Sequence, residues 1–546
     1  MLKSTLLSCL FIAFFSVSAV CQQANLVISG GSLQTTALSR GNYLKCTFKV
    51  KNTGTANAGK SHTQIYISTT PTVTNAILLS DISCEPLSIN QETADINYIF
   101  PLPYNIAAGN RYVVMSVDAR NEVPESSEAN DYYLTTPLVV NASIGREQNL
   151  PYPIILIHGL NSDYHTWDSL KINLQNYYGW SYGGNMNFCL NQDGNLATAN
   201  KTIDYKDWTD TSALSTADFY TVNFNVGVNG QDVSATNPSV ESNQAAIVKQ
   251  GLAVRDAIKH VLKLTGRDKV VLAVHSMGGL ASREYLQNAV NWQADGKHHV
   301  AKLTTIATPH GGSNSSAWGF GGLVGIDEQS EAVRDLRVDY FYSGNPGVYL
   351  FGGRESNSYM SNFLFSNYNN IDVNCNGTVD AANIQGLNQK NIPNDLGYAC
   401  IIGSGSSFGG GDGVVDAPKA NLNNYYNLGA DTFVSIAQST IWHTEIQKLA
   451  DYALQGIDEP KMKNLAYQLD TGRFYFGNFS LQSKATAITT DSDYYKFPLY
   501  ENGELSIRLL NIPVANAGIK IYNESGNLIV NTPSDNKGEM VSTMVP

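Results

Sequence analysis

The chain has 546 residues, a length that corresponds to roughly three to four domains rather than one. Hydrophobic residues make up 43% of it and charged residues 15%, so large cores can form and extensive disorder is not expected. The net charge is −12 and no run of Lys and Arg occurs, which argues against nucleic acid as a partner.

Residues 1–21 have the organisation of a secretory signal peptide. After a positively charged start, an apolar run covers 6–15 and a small-residue cleavage site follows at 17–19. Val20 argues against lipidation of Cys21, because lipoprotein cleavage needs a small residue before the cysteine. No later apolar run approaches the ~20 residues that span a bilayer. We therefore predict a secreted protein, extracellular or held at the cell surface.

Short alternating strands separated by turns occupy residues 24–141 and predict an all-β sandwich with immunoglobulin-like architecture. This region contains Val50-Lys51-Asn52-Thr53-Gly54 and, near its end, Val117-Asp118, Asn121-Glu122-Val123-Pro124-Glu125-Ser126 and Asn130-Asp131-Tyr132. These segments resemble the CARDB domains of bacterial surface proteins. The resemblance implies spacing or adhesion, with cell-surface or polysaccharide contact, rather than chemistry.

The cysteines beyond the signal region are too few for a disulfide framework. Cys46 with Cys84, and Cys375 with Cys400, are candidate disulfide pairs if the protein matures in an oxidising compartment.

From residue 149 to 456 the pattern changes. Apolar runs typical of buried strands, such as 154–157 and 270–274, alternate with helical segments such as 243–264. This alternation predicts a mostly parallel sheet with helices on both faces.

The first strand of this region runs into His158-Gly159-Leu160. A His-Gly turn after an early strand points the next backbone N–H towards the reacting carbonyl. We therefore predict that the amides of Leu160 and Met277 form an oxyanion hole. An ordinary strand followed by a glycine turn is the alternative.

Two long stretches, 181–209 and 313–370, are rich in Gly, Ser, Asn and aromatic residues and are expected to be long loops. Several residues of the second stretch either cap an acyl pocket or form the insertion's own core: Phe320, Leu323, Val324, Phe341, Tyr342, Tyr349, Leu350, Phe351, Tyr359 and Phe363.

A buried strand ends in His275-Ser276-Met277-Gly278-Gly279 and is followed by a helix, which is the context of a nucleophilic serine. Ser276 is expected on a sharp turn, where the helix N-terminus favours developing negative charge. Gly278 fits the second glycine of the Gly-x-Ser-x-Gly pattern, but Val274 replaces the first, so either the facing residue is small or the turn differs. A surface Ser-Gly turn is the alternative.

Residues 372–383 match a calcium-loop pattern, with glycine at position six for the sharp bend. The segment resembles dockerin and EF-hand loops, although Asn376 and Asn383 replace carboxylates and would weaken binding. The pattern predicts a structural calcium ion, with an Asx-rich turn as the alternative. The predicted ligands are Asp372, Asn374, Asn376, Thr378, Asp380 and Asn383.

Asp412 lies between glycines in Gly411-Asp412-Gly413-Val414-Val415, shortly after the apolar pair at 401–402. This position suits an acid at the C-terminal end of a parallel strand. The alternatives are a plain Asp-Gly turn or a calcium ligand, and Asp416 is the nearest substitute acid.

His443 is the last of nine histidines and the only one that follows Asp412, so it alone preserves the order Ser…Asp…His. Ser276, Asp412 and His443 are therefore the predicted catalytic triad. A packed histidine beside Trp442 is the alternative, and His310 is the second candidate base, or else a residue of the pocket wall.

These motifs, together with Ala307-Thr308-Pro309-His310-Gly311-Gly312, resemble those of the α/β-hydrolase superfamily. Within it they are similar to bacterial lipases and to the PGAP-type, lipase-like domain related to the inositol deacylases. The resemblance covers about residues 150–456. It implies hydrolysis of carboxylic esters, often of lipids, without a catalytic cofactor.

After Glu459-Pro460 the sequence returns to strands. The segments 491–497 and 503–509 resemble the PPC (bacterial pre-peptidase C-terminal) domain, a small β-sandwich of secreted hydrolases. We predict such a sandwich, in incomplete form, over residues 464–546.

The sequence thus predicts an α/β-hydrolase fold flanked by two all-β sandwich domains. The predicted protein is a secreted serine hydrolase that acts on an ester or lipid substrate. Two alternatives stay open: an amidase or peptidase with the same triad, and an adhesion or carbohydrate-binding surface protein with an inactive hydrolase core.

Overall fold

The computed structural model describes residues 23–39, 43–102, 106–128, 131–133, 136–141, 150–191, 205–233, 241–315, 326–327, 330–338, 347–354, 372–378, 383–404, 411–430, 432–439, 442–448, 453, 456–470, 475, 492–498, 505–510, 518–532 and 539–544. The chain forms two compact units, one of residues 1–144 with 504–546 and the other of residues 145–503. The predicted signal peptide lies outside the described residues.

The N-terminal part of the first unit consists of strands in two mainly antiparallel sheets. One sheet has the order β1-β3-β6 and the other the order β2-β9-β7-β4-β5, with β8 also paired to β7. The strands are β1 (Leu26–Leu33), β2 (Ala37–Ser39), β3 (Tyr43–Asn52), β4 (Ser61–Ser68), β5 (Ile77–Cys84), β6 (Ile96–Pro101), β7 (Gly109–Ser116), β8 (Asp131–Tyr133) and β9 (Leu138–Asn141).

One face of these strands forms a shared hydrophobic core. Leu44, Cys46 and Phe48 alternate with less buried residues along β3 and pack in one cluster with Ile65 and Ile67 of β4. The period of two places every second side chain on the inner face, as in a sandwich.

Neither candidate disulfide forms. Cys46, Cys84, Cys375 and Cys400 are all buried free thiols, and the Cys84 thiol lies 3.3 Å from the hydroxyl of Thr63. In these positions the cysteines act as small core residues.

The second unit is built on an eight-stranded sheet of order β12-β11-β13-β10-β14-β15-β18-β19. All of its neighbouring strands are parallel except β12, which is antiparallel to β11. The strands of this unit are β10 (Ile154–Ile157), β11 (Tyr182–Cys189), β12 (Lys206–Asp207), β13 (Phe219–Asn223), β14 (Val270–His275), β15 (Val300–Ile306), β16 (Gly353–Arg354), β17 (Asn383–Ile384), β18 (Gly397–Ser404), β19 (Phe433–Ser439), β20 (Tyr467–Gln468) and β21 (Tyr495–Lys496).

Helices cover both faces of this sheet, as predicted. Alternate residues of β14 face opposite layers: Val274 packs in the cluster that contains Val254 of α2, whereas Ala273 packs in the cluster that contains Leu170 of α1. The helices are α1 (Asp168–Tyr177), α2 (Ile247–Thr265), α3 (Met277–Gln287), α4 (Glu331–Leu336), α5 (Val348–Phe351) and α6 (Ala417–Ala420). None of the helices that the structure describes is long and apolar enough to cross a membrane.

The stretch 181–209 is not a plain loop, contrary to our expectation, because β11 and β12 lie within it. Two glycines interrupt the pattern of apolar residues by which β11 could have been recognised in the sequence. A Cβ atom at Gly183 would lie 2.1 Å from the Tyr220 ring, and Gly184 has a φ of 114° where the register with β13 shifts. Glycine at these positions leaves room for the Tyr220 ring and allows the irregular pairing with β13. The strand therefore lacks the usual apolar pattern.

Residues 464–546 are divided between the two units. β20 and β21 pair within the second unit. The remaining strands belong to the first unit and form the antiparallel pairs β22–β25 and β23–β24, with bounds β22 (Leu505–Leu510), β23 (Ile519–Tyr522), β24 (Leu528–Thr532) and β25 (Glu539–Met544). The second sandwich therefore stays a prediction.

Candidate active site

Ser276 lies on a sharp turn between β14 and α3. Its backbone angles are φ 52° and ψ −127°, a conformation that is costly for a residue with a side chain. Its amide donates a 2.8 Å hydrogen bond to the carbonyl of Ile306 at the end of β15. The turn is therefore held by the neighbouring strand, and the side chain, in a residue that is 9% exposed, stands at the C-terminal edge of the sheet.

The residue that faces Ser276 is Gly159, which is small. This explains how the turn forms although Val274 replaces the first glycine of the Gly-x-Ser-x-Gly pattern. A Cβ atom at Gly159 would lie 2.6 Å from the Cβ of Ser276, and one at Gly278 would lie 2.5 Å from the carbonyl oxygen of His158. Val274 itself is fully buried in the core. The missing first glycine is thus compensated by a glycine on the adjacent turn.

The structure brings Ser276, Asp412 and His443 together. His443 Nδ1 lies 2.8 Å from Asp412 Oδ2, and His443 Nε2 lies 2.8 Å from Ser276 Oγ. Because an ionised carboxylate only accepts hydrogen bonds, Nδ1–H donates to Asp412 and leaves Nε2 to accept the serine proton. The imidazole is thereby aligned as a base towards the hydroxyl.

Asp412 is held as a buried anion. Its Oδ1 accepts hydrogen bonds from the amides of Val414 at 3.0 Å and Val415 at 2.8 Å. Burial favours the neutral carboxylic acid, but the hydrogen bond from His443 and these two amides outweigh it, so the pKa of Asp412 is lowered. The substitute acid, Asp416, instead forms a 2.7 Å ion pair with Lys419.

The segment that carries His443 is fixed at several points. The amide of His443 donates to the carbonyl of Asp412 at 3.1 Å. The side chain of Gln447 donates to the carbonyl of Thr444 at 2.8 Å and to the hydroxyl of Thr166 at 3.0 Å. The base therefore does not depend on the Asp412 side chain alone for its position.

His275 is a site residue that the sequence analysis missed. Its Nε2–H donates a 2.9 Å hydrogen bond to the backbone carbonyl of His443, and the two rings are 4.8 Å apart. Burial and the neighbouring His443 lower the pKa of His275 to about 3, so the ring is neutral. The only sequence signal was its place beside Ser276, because its partner is a backbone atom 168 residues away.

His158 fixes the turn after β10. Its Nε2 accepts from the amide of Phe224 at 2.9 Å, so Nδ1–H donates to the carbonyl of Gly159, also at 2.9 Å. Burial lowers the pKa of His158 to about 4. Gly159 contacts Ser276, which puts the following Leu160 on the same turn beside the serine.

Met277 is the first residue of α3, where an amide has no acceptor within the helix. Met277 follows Ser276 directly and Leu160 follows Gly159, which lies close to Ser276. An oxyanion hole formed by the amides of Leu160 and Met277 stays a prediction.

The contacts of His310 do not support its alternative role as the base that acts on Ser276. Its Nε2 lies 3.1 Å from the hydroxyl of Thr305, and its Nδ1 lies 3.3 Å from a nitrogen of Arg283. Burial and then the guanidinium of Arg283 hold the pKa of His310 well below its usual value. His310 is fully buried and serves the packing between β15 and α3.

The described part of the predicted calcium loop forms a compact bend. The Asp372 carboxylate accepts from the amides of Asn376 at 3.1 Å and Gly377 at 2.7 Å, and Gly377 has a φ of 87°. Asn374 also accepts from the Asn376 amide, and Asn376 accepts from Thr378. Asp380 lies outside the described residues, and Asn383 lies in β17. Such a bend fits both a calcium loop and an Asx-rich turn, so calcium binding here stays a prediction.

The insertion supplies part of the core beside α3. Tyr349 and Leu350 pack in one cluster with Met277, Leu280 and Leu336. For Tyr349 and Leu350 this packing favours a role in the core over a role in a cap above an acyl pocket. Phe351 packs against the same cluster. Seven of the other aromatic and aliphatic residues named for this stretch lie outside the described residues: Phe320, Leu323, Val324, Phe341, Tyr342, Tyr359 and Phe363.

Comparison with known proteins identifies two domains. The family model described as CARDB matches residues 23–135, and the one described as PGAP1-like alpha/beta domain matches residues 151–318. The second match includes Leu160, Ser276 and Met277 but ends before Asp412 and His443. No curated protein matches the chain.

Solved structures with partial likeness include the product of the gene lin2722 of Listeria innocua. It has 16% identity and a TM-score of 0.30, and the match covers 54% of this chain and 87% of that one. The CARDB domain of the PF1109 protein of Pyrococcus furiosus, solved in complex with di-metal ions, has 18% identity and a TM-score of 0.17. That match covers 22% of this chain and 90% of that one. Likeness at these scores supports no conclusion about function, so the domain assignment rests on the two family matches. The chain therefore carries a CARDB domain followed by a PGAP1-like α/β domain, an α/β-hydrolase core behind a β-rich N-terminal region.

Proposed function

We propose that the protein is a serine hydrolase that cleaves carboxylic esters through an acyl-enzyme. The observation that carries the proposal is the pair of 2.8 Å contacts of His443, one to Asp412 and one to Ser276. The PGAP1-like match supports a hydrolase in general. The choice of an ester bond follows from the lipase-like motifs and is the part that needs testing.

The chemistry begins with proton transfer. His443 Nε2 takes the hydroxyl proton as Ser276 Oγ attacks the acyl carbonyl carbon and forms the new C–O bond. Asp412 keeps the correct tautomer before this step and stabilises the imidazolium after it. The protonated His443 then gives its proton to the leaving alkoxide, which departs as the alcohol. Water, activated by His443, hydrolyses the acyl-enzyme and restores Ser276.

The tetrahedral intermediate carries a negative oxygen that must be stabilised. The amides of Leu160 and Met277 are the proposed donors, and the N-terminus of α3 adds a favourable dipole. The strained backbone of Ser276 supports the proposal, because a sharp turn of this kind is typical of a nucleophilic serine.

A substrate panel tests the ester assignment. Purified protein is assayed with p-nitrophenyl esters of increasing chain length and with peptide anilides, alongside Ser276→Ala. We expect ester hydrolysis that falls by roughly 10⁴-fold or more in the variant, since the Ser–His pair acts as a unit. Turnover of anilides at a higher kcat/KM than the esters would favour the amidase alternative. Full ester hydrolysis by Ser276→Ala would refute the triad.

The remaining expectations are also part of this proposal. The protein is exported, needs no cofactor for catalysis and takes an ester or lipid substrate, while its β-sandwich region contacts the cell surface or polysaccharide. A calcium ion at residues 372–383 stabilises the fold without acting in catalysis. If the folded protein neither hydrolyses esters nor reacts with a serine-directed probe, the adhesion alternative is favoured instead.

A further inference from the structure

Two consecutive residues at the end of β14 both contact His443. Ser276 Oγ lies 2.8 Å from His443 Nε2, and His275 Nε2–H donates a 2.9 Å hydrogen bond to the backbone carbonyl of His443. The first contact reaches the side chain of His443 and the second reaches its main chain. The strand end that carries the serine therefore holds the whole of His443, and not its ring alone.

The hydrogen-bonding state of His275 follows from its partners. A carbonyl oxygen only accepts hydrogen bonds, so Nε2 carries the proton, and Nδ1 has no hydrogen-bond partner among the residues that the structure describes. Burial and then the neighbouring His443 lower the pKa of His275 to about 3. Such a ring stays neutral near pH 7 and does not take the proton of Ser276. His275 is therefore a fixed hydrogen-bond donor and not a second base.

The segment around His443 has few other restraints from packing. His443 is buried, but Trp442 on one side and Thr444 and Glu445 on the other are exposed. The main chain of His443 is held instead by hydrogen bonds on both sides, since its amide donates to the carbonyl of Asp412 at 3.1 Å and its carbonyl accepts from His275. The bond from His275 is thus a substantial part of what fixes the base.

This hydrogen bond persists where the contact between Ser276 and His443 does not. In the proposed mechanism, acylation turns Ser276 Oγ into an ester oxygen without a proton, so the serine no longer donates to His443. His443 must then activate water in the second half of the reaction. His275 is not altered by the chemistry, and its bond to the His443 carbonyl remains available in the acyl-enzyme.

We propose that His275 is a positioning residue, which keeps His443 aligned in both acylation and deacylation through its hydrogen bond to the His443 carbonyl. This inference rests on the proposed function, because it takes Ser276 as the residue that forms the acyl-enzyme. Loss of the N–H donor should slow both chemical steps. Binding of the substrate should change little, because His275 acts on the substrate only through His443.

Kinetics of three His275 variants with a p-nitrophenyl ester test the proposal. His275→Leu removes the donor, and His275→Phe removes it but keeps an aromatic ring, which guards against a packing defect in either variant. We expect kcat to fall by about 100-fold in both, the cost of a displacement near 1 Å, with little change in KM. The burst of p-nitrophenol and the steady-state rate should show that acylation and deacylation are both slowed. His275→Gln retains an N–H donor and should recover most of kcat.

His298→Leu is the matched control. His298 is also a buried histidine, 3% exposed, but it precedes β15 at the end of the parallel strands that is remote from Ser276. We expect this variant to keep the wild-type kcat, and thermal unfolding should show that all four variants are folded.

The proposal is overturned if His275→Leu and His275→Phe keep the wild-type rates, or if His275→Gln is as slow as they are. A change in KM alone would also overturn it. The proposed function fails in a different way, namely if the wild-type protein neither hydrolyses esters nor reacts with a serine-directed probe.

Discussion

At the scale of single residues, the site depends on a negative charge kept at Asp412. The residue is 1% exposed, yet its hydrogen bonds to His443 and to two backbone amides lower its pKa. The neutral His275 beside His443 adds no competing charge near neutral pH. In the proposed mechanism, the proton released by Ser276 is therefore taken by His443 and not shared among several groups.

Replacing Asp412 by Asn should test this directly. The amide keeps the shape but can present an N–H to His443, which favours the wrong tautomer. We expect kcat to fall by about 10⁴-fold, the size seen for this change in the serine protease triad. Asp416→Asn is the control, because Asp416 pairs with Lys419 at the surface and should keep wild-type activity. Equal losses in both variants would contradict the assignment of the acid.

The three triad residues could be predicted because each one is marked in the sequence, either by its neighbours or by its order along the chain. Ser276 follows an apolar strand, Asp412 lies between glycines, and His443 is the only histidine after that acid. His275 carried only its place beside Ser276 as a signal. Its contact is with a backbone carbonyl, and main-chain atoms leave no residue-specific pattern in a sequence.

At the scale of elements, the turn after β10 and the turn after β14 share one tight contact. Gly159 faces Ser276 so closely that no side chain fits between the two turns. This contact replaces the role usually given to a glycine two residues before the serine, where this chain has Val274. The geometry around Ser276 therefore rests on two neighbouring strands and not on one motif.

Gly159→Ala should damage activity through this contact. The new methyl would lie 2.6 Å from Ser276 Cβ, so the serine turn or the Leu160 turn must shift. A displacement near 1 Å costs about 100-fold in rate. Gly429→Ala is the matched control, since its Cβ would meet Thr432 at an ordinary 3.8 Å. Ester assays should show the loss in the first variant only, and an unaffected Gly159→Ala would contradict the close-contact account.

Elements with strong apolar runs were predictable, and those with glycine were not. The runs at 154–157 and 270–274 became β10 and β14, and the segment 243–264 became α2, which begins at Ile247. β11 was not predicted, because Gly183 is needed for packing on Tyr220 and Gly184 lies where the register with β13 shifts. The apolar pattern of a strand is therefore missing for reasons of packing and strand pairing.

At the scale of the whole molecule, the second unit is sensitive to acid. Burial lowers the pKa of His158 to about 4 and of His275 to about 3, and His310 is also shifted down. The unfolded chain takes up protons near pH 6.5, before the folded unit does. Stability is therefore full above pH 6.5 and is lost as the pH falls towards these folded values.

Urea unfolding followed by tryptophan fluorescence measures this loss. All six tryptophans lie in the second unit, so the signal reports on that unit alone. Each buried neutral histidine costs about 1.4 kcal/mol per pH unit below 6.5, so His158 and His275 together should remove roughly 5 kcal/mol by pH 4.5. A urea midpoint that stays constant from pH 7.5 to 4.5 would contradict this expectation.

We propose that Ser276 is a nucleophile activated by His443. A fluorophosphonate probe reacts with such a serine, and peptide mapping of the labelled protein identifies the modified residue. We predict one labelled peptide, which contains Ser276, no label in Ser276→Ala, and strongly slowed labelling in His443→Gln. Labelling at another residue, or none in correctly folded protein, would contradict the account.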